Sequence, residues 1–200
     1  MWLAIIVGSL ILAEFYGYWL HVLLHSYWIP ALSRSHMNHH VLSYAPGSRM
    51  RHKGYVQEVQ DGDVLIFGLG LEWILPSLVL LVVTVSVEWL IGFSPVQIAV
   101  SVGIVIAYSV FLFWFLHETL HLKHPWILRI KPVRRWYLNA RKLHDIHHHH
   151  VTDEGLMNRN YGIAFFGFDK VFGSFLPKLK GGINRDGIAA AKEKLRKNVQ

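Results

Sequence analysis

The chain has 200 residues, 52% of them hydrophobic and only 16% charged, where an ordinary soluble domain carries roughly 25% charged residues. Its length suits one domain and its composition suits lipid. The net charge of +7 is not the mark of a nucleic-acid partner, because all 20 Lys and Arg fall within residues 34–53 and 123–197 and the long apolar stretches carry none. The absence of cysteine excludes disulfides, thiolate metal sites and a cysteine nucleophile.

Residues 2–20 are apolar except for Glu14, close to the roughly 20 residues a spanning helix needs. No basic residue precedes them, so they read as a first span and not as a secretory signal. Residues 64–90 form a second apolar stretch, broken by Glu72, Pro76 and Glu88, and residues 96–116 form a third. The link Gly92-Phe93-Ser94-Pro95 is a short turn. Three spans put both basic stretches on one side, which the positive-inside rule assigns to the cytoplasm. A hairpin within 64–90 would instead make four spans and change the parity. Residues 160–177, aromatic and glycine-rich with Asp169 and Lys170 among them, are too polar to span and suit the membrane interface. This divides the chain into a membrane domain over 1–180 and a basic tail over 181–200, the latter predicted as a short helix.

Histidine is the anomaly, at 14 of 200 residues. Most fall into four groups: His21 and His25; His36, His39 and His40; His117 and His121; His144, His147 and His148, followed by His149 and His150. The order is HxxxH, HxxHH, HxxxH, HxxHH, one pair of patterns from each half of the chain. On a helix, residues i, i+3 and i+4 share a face about 5–6 Å apart, so each group can converge on a metal ion. Ten imidazoles exceed the four ligands that one zinc ion takes and match two ions. Imidazole suits Zn, Cu, Fe and Ni alike, so the ligands alone do not choose the metal. The spans ending at His21/His25 and His117/His121 would carry those residues just past the lipid, and the triplets would close the cage from the soluble side. Ligating histidines usually donate their other N–H to a carboxylate or carbonyl. Asp145, inside a motif, is the foremost candidate for that role, with Glu118, Asp153 and Asp169 behind it. His52 and His124 fall outside the pattern and take no ligand role. The fold class expected is thus an all-α integral membrane protein of three to four transmembrane helices, with a cytoplasmic helical cap enclosing a histidine-rich dimetal site.

These motifs, in this order, resemble those of the fatty acid hydroxylase / sterol desaturase superfamily. Two flanking features strengthen the likeness: Tyr44-Ala45-Pro46-Gly47 after the second motif, and Asn160-Tyr161-Gly162-Ile163 with Asp169 and Phe172-Gly173-Ser174 after the last. The resemblance covers roughly residues 10–177. It implies that His21, His25, His36, His39, His40, His117, His121, His144, His147 and His148 are metal ligands, and it adds Asn160 to Asp145 and Glu118 as residues behind them. It also implies two iron ions, replaceable by zinc in a purified preparation, and O2 as co-substrate. The third motif, HxxxH, favours the hydroxylase branch. The reaction implied is oxidation of an unactivated lipid C–H bond, with desaturation as the alternative. The substrate would enter from the bilayer. With no fused cytochrome b5-like domain, electrons would come from a separate ferredoxin, or from cytochrome b5 with a reductase. Basic residues such as Arg129, Lys131, Arg134, Arg135, Arg141 and Lys142 could dock such an acidic donor, but positive-inside topology with binding of anionic lipid accounts for them at least as well.

Three rival readings fit less well. A metal transporter would want its ligands along a path inside the bilayer. A zinc hydrolase would need an open coordination position and a general base, for which Glu118 or Asp145 could serve. A haem carrier would need paired histidines on facing spans, not triplets.

Overall fold

The structure is a computed structural model that describes residues 1–56, 65–66, 69–179 and 181–197. Helix α1 (Trp2–Ser26) is followed by α2 (Pro30–Asn38), which runs into a wider π-helical turn at His39–Ser43. A minimal antiparallel hairpin, β1 (Leu65–Ile66) and β2 (Leu69–Gly70), leads into α3 (Leu71–Leu90). Helix α4 (Pro95–Val110), a second π-helical turn (Phe111–Leu116) and α5 (His117–His121) run on without a break. A 3₁₀ turn (Trp126–Arg129), α6 (Lys131–His149), α7 (Gly167–Val171) and α8 (Arg185–Lys197) complete the chain.

Among the described residues, three helical runs are long and apolar enough to cross a membrane: Trp2–Ser26, Glu72–Leu90 and Pro95–His121. Within the second apolar stretch, residues 71–90 form one continuous helix, α3, not a helical hairpin that would add a span. Pro76 lies inside it and cannot donate to the preceding turn, yet the helix continues. The last run has 27 residues and is roughly 40 Å long at 1.5 Å per residue. That exceeds the roughly 30 Å hydrocarbon core. The Gly92–Pro95 turn is closed by a capping box: Ser94 Oγ accepts from Gln97 N, and Gln97 Oε1 accepts from Ser94 N at 2.7 Å, with Pro95 in the first turn.

Helix α1 packs chiefly along α4, with α3 against both. Polar side chains join the three where lipid supplies no hydrophobic drive between helices. Ser101 Oγ donates to Glu88 Oε1 at 2.5 Å and lies 2.9 Å from Ser9 Oγ. Tyr16 and Thr84 pair at 2.9 Å, and Tyr108 donates to Glu14 at 2.7 Å.

Beyond the spans, α6 and α8 supply the amphipathic faces. Ala191 and Leu195 of α8 pack on Met37, Val41, Val151 and Met157. That contact is close enough to demand a glycine: a Cβ at Gly155 would lie 2.4 Å from the Ala191 nitrogen, and its φ is +76°. Thus α8 is a docked helix.

Candidate metal centre

The ten histidines gather into two groups of five. His21, His25, His36, His40 and His147 form the first, and His39, His117, His121, His144 and His148 the second. Within each group, one ring nitrogen from each residue lies within 4.8 Å of those of the other four. Nitrogens bound at about 2.1 Å to one ion lie at most about 4.2 Å apart, so each group closes on an ion with shifts of a few tenths of an ångström. The groups abut where the rings of His40 and His148 stand 4.0 Å apart.

Local helix geometry explains the partition. Each HxxxH pair is an i,i+4 pair on one face. Each HxxHH triplet splits: its i,i+4 members stay with their own half of the chain, and its middle histidine crosses to the other group. His36 and His40 therefore join His21 and His25, while His39 crosses to the second group. Likewise His144 and His148 join His117 and His121, while His147 crosses to the first. A π-helical turn abuts a motif in each half, starting at His39 in one and ending at Leu116 in the other. Such insertions rotate the following residues relative to a regular helix and recur at functional sites.

All ten are buried except His39, which is partly exposed. Three are held by backbone carbonyls: His21 Nδ1 lies 2.6 Å from Tyr161 O, His147 Nδ1 2.7 Å from Arg159 O, and His148 Nδ1 3.2 Å from Tyr44 O. A carbonyl can only accept, so Nδ1 carries the proton and Nε2 presents its lone pair inward. In all three residues Nε2 is buried and has no hydrogen-bond partner, as is Nε2 of His39, His40 and His117. His25 and His36 meet Nε2 to Nε2 at 3.0 Å, and so do His121 and His144. Converging buried acceptors without donors are costly unless something positive lies between them. That is the chemistry of a metal site. Beyond the spans, burial and the neighbouring rings hold His36, His40, His144 and His148 well below the usual histidine range. Burial likewise lowers His39 to about 3 and His147 to about 4. Neutral imidazole is the ligating form.

Of the four acids expected to orient the histidines, Asp145, Glu118 and Asp153 make no hydrogen bond to a ring of either group among the described residues, and Asp169 acts on them only through the backbone. Both carboxylate oxygens of Asp145 accept from Arg51 Nη2, at 2.6 and 2.5 Å, because α6 turns that side chain away from the rings and toward the basic surface. Glu118 makes no hydrogen bond to a ring nitrogen among the described residues, and Asp153 accepts from Asn184 at 2.8 Å. Carbonyls do the orienting, and Asn160 and Asp169 hold the segment that carries two of them. Asn160, fully buried at φ 54°, donates to Leu143 O and Leu176 O and accepts from Leu176 N. Asp169 accepts from Tyr161 N at 2.7 Å, Gly162 N at 2.9 Å and Ser174 Oγ at 2.7 Å. Burial raises the Asp169 carboxyl, and these donors pull against it. His149 hydrogen-bonds the Asp145 carbonyl; His52, His124 and His150 also lie outside both groups.

Aromatic side chains that sequence reasoning gave no role line the centre. The Tyr44 ring stacks on His121 at 3.8 Å, and Tyr55 Oη lies 3.3 Å from His39 Nδ1. Trp73 stands 5.3 Å from His36 and 4.5 Å from Phe113. Tyr44 and Tyr161 fell inside the stretches that carried the resemblance, which was the only available signal. Trp73 and Phe113 also line an apolar cavity of about 250 Å³ between α1, α3 and α4, with Gly17, Leu20 and Val105. On the polar side, Arg51, Arg141, Lys142 and Lys178 line an open cleft of about 600 Å³ with Asp145 and His149.

Apolar helices able to span a bilayer, carrying histidine cages suited to metal, define a membrane protein of the hydroxylase and desaturase type. The fatty acid hydroxylase family model matches residues 6–174, and the chain belongs to that family, whose members are metal-dependent enzymes. No curated protein and no solved structure matches the chain.

Proposed function

We propose that the chain is an O2-dependent lipid hydroxylase in which the ten histidines hold two iron ions, five to each. The observation that carries this reading is the pair of five-histidine groups in contact, with their unpaired Nε2 atoms turned inward. Iron bound there would supply the activation of O2 that breaks an unactivated C–H bond, chemistry beyond any side chain present.

The protein's own residues do the rest. Tyr161, Arg159 and Tyr44 fix three imidazoles through their carbonyls. The apolar cavity admits a hydrocarbon segment from the bilayer and leads it to Trp73, beside His36. The buried setting keeps bulk water from the reacting carbon. The basic cleft at Arg51, Arg141, Lys142 and Lys178 offers an acidic electron-donor protein a docking point, and complementary charge speeds such encounters. The positive-inside rule, applied to the two basic stretches, supports a cytoplasmic side for the histidine groups and the C-terminus.

The test is metal analysis of detergent-purified protein produced with added iron, followed by reduction under ¹⁸O2 with membrane lipids. About two ions per chain and ¹⁸O in a lipid alcohol are the expected results. Two ions with a new double bond and no ¹⁸O would move the chain to desaturation. One ion or none in a folded chain would end the dimetal reading.

A further inference from the structure

A pair of tyrosines leads away from the first histidine group. The Tyr161 ring lies 5.6 Å from His21, 5.7 Å from His25 and 5.8 Å from His147, centroid to centroid. The Tyr18 ring meets Tyr161 edge-on at 5.7 Å. Beyond it, Tyr18 stacks on Phe172 at 5.2 Å and meets Trp19 at 5.5 Å, and Trp19 is 44% exposed. The rings thus form a contact chain from the centre to the outer surface of α1.

The phenol of Tyr18 is wired as well as packed. Its oxygen lies 3.0 Å from Ser174 Oγ, and Ser174 Oγ donates to Asp169 Oδ1 at 2.7 Å. Ser174 has one hydroxyl proton and gives it to the carboxylate, so Tyr18 is the donor in the first bond. All three side chains are buried: Tyr18, Ser174 and Asp169 are 5%, 7% and 0% exposed. Among the described residues, no such route to a carboxylate serves the phenol of Tyr161. Removing an electron from a phenol makes its proton strongly acidic, and in a buried place that proton needs an acceptor already aligned. Tyr18 has one.

We propose that Tyr18 is a redox-active tyrosine, an electron relay that protects the centre when no substrate C–H bond is in reach. The proposal rests on the oxidase reading above. The oxidant is the metal centre itself, oxidised by O2 or peroxide. One electron passes from Tyr18 to the centre across the Tyr161 ring. In the same step the phenolic proton moves to Ser174 Oγ and the Ser174 proton to Asp169 Oδ1. The products are a neutral Tyr18 radical, a protonated Asp169 and a centre reduced by one electron, so charge and atoms balance. Trp19 and Phe172 then offer a path by which an outside reductant refills Tyr18. Without the relay, the same oxidising equivalents would fall on the ten imidazoles.

The experiment uses the full chain, loaded with iron, reduced, freed of lipid substrate, treated with hydrogen peroxide and freeze-quenched for electron paramagnetic resonance. The expected result is an organic radical signal that narrows when ring-deuterated tyrosine is incorporated. It should be lost in Tyr18→Phe and kept in Tyr108→Phe. In Ser174→Ala the radical should form more slowly and lose the solvent deuterium effect seen in the unaltered protein. Tyr18→Phe should also accumulate oxidised histidine faster, as read by peptide mass spectrometry. Iron content and the metal's own spectrum are recorded on each sample. Iron that is bound and oxidised by peroxide while no radical forms, or while the radical persists in Tyr18→Phe, overturns the relay alone. A folded chain that binds no iron overturns the oxidase reading and the relay with it.

Discussion

The first histidine group draws its two i,i+4 pairs from α1 and from α2 with the π-helical turn that follows it, and the second draws its pairs from α5 and α6. Each then borrows one histidine from the other half. The composition is the same, but the supports differ. The first group is fully buried and is held by the carbonyls of Tyr161 and Arg159, in a segment pinned by Asn160 and Asp169. Its His36 meets Trp73, whose ring also lines the apolar cavity. The second has one partly exposed member, His39, and lies under the Tyr44 ring. Its α6 backs onto the basic cleft. One ligand set, used twice, thus sits beside an apolar cavity on one side and a basic cleft on the other, and the surroundings rather than the ligands separate the two groups.

The most severe break in this pairing removes one group's own i,i+4 pair. His36→Ala/His40→Ala should take metal from about two ions per chain to about one and abolish activity, and His144→Ala/His148→Ala should do the same. His147→Ala should behave as a lesion of the first group although it lies in the second half of the sequence. Elemental analysis checks this. Loss of both ions from either double variant would show a single cage rather than two.

Acidification tests both groups at once. Six of the ten histidines lie beyond the spans, and burial lowers all six from 6.5. Below that value the unfolded chain binds protons that the folded one refuses. Stability of the metal-free protein is therefore full above about pH 6.5 and falls as the pH drops toward 4 and 3, where His147 and His39 finally protonate. Each histidine kept neutral costs about 1.4 kcal/mol per pH unit within that window. Thermal unfolding at pH 7.5, 6.5 and 5.5 should show a steep loss only over the last interval. A flat profile would mean that the rings reach water.

Asp169→Asn sharpens the contrast between supports. It weakens the bonds to Tyr161 N and Gly162 N and so loosens the carbonyl that holds His21. Loss of such an outer partner typically costs about 10–100-fold in metal affinity. The loss should fall on the first group alone, which competition with a graded chelator will read as one weakened ion out of two. Equal weakening of both would mean that the segment over 159–174 stabilises the whole domain.

How much of this was legible in the sequence follows from what each feature depends on. The spans and ten histidines could be read because helical periodicity and apolar length are local properties. The crossing of His39 and His147 could not, because it depends on how four helix ends meet and on π-helical turns that spacing does not announce. The supporting acids were ranked in the wrong order for a related reason. Asp145 lies inside a motif, yet three-residue proximity along α6 did not aim it at a ring, and Arg51, distant in sequence, captured it. Asp169 acts through two backbone N–H groups, contacts that only the folded loop defines.

The mildest prediction concerns the apolar cavity alone. A Cβ at Gly17 would lie 2.8 Å from Phe113 Cζ, too close to stand unless something yields. The atom it meets is the far end of a side chain, so the ring can swing while the backbone stays. Phe113 lines the apolar cavity beside Trp73, and a displaced ring takes space from it of about one methylene group. Gly17→Ala should therefore keep both ions and the fold, and shift preference toward a shorter or less bulky hydrocarbon segment. Competition between lipids of graded chain length will read the shift. A changed metal content would mean that Gly17 serves helix packing beneath the first histidine group, and an unchanged preference would take the cavity out of the substrate's path.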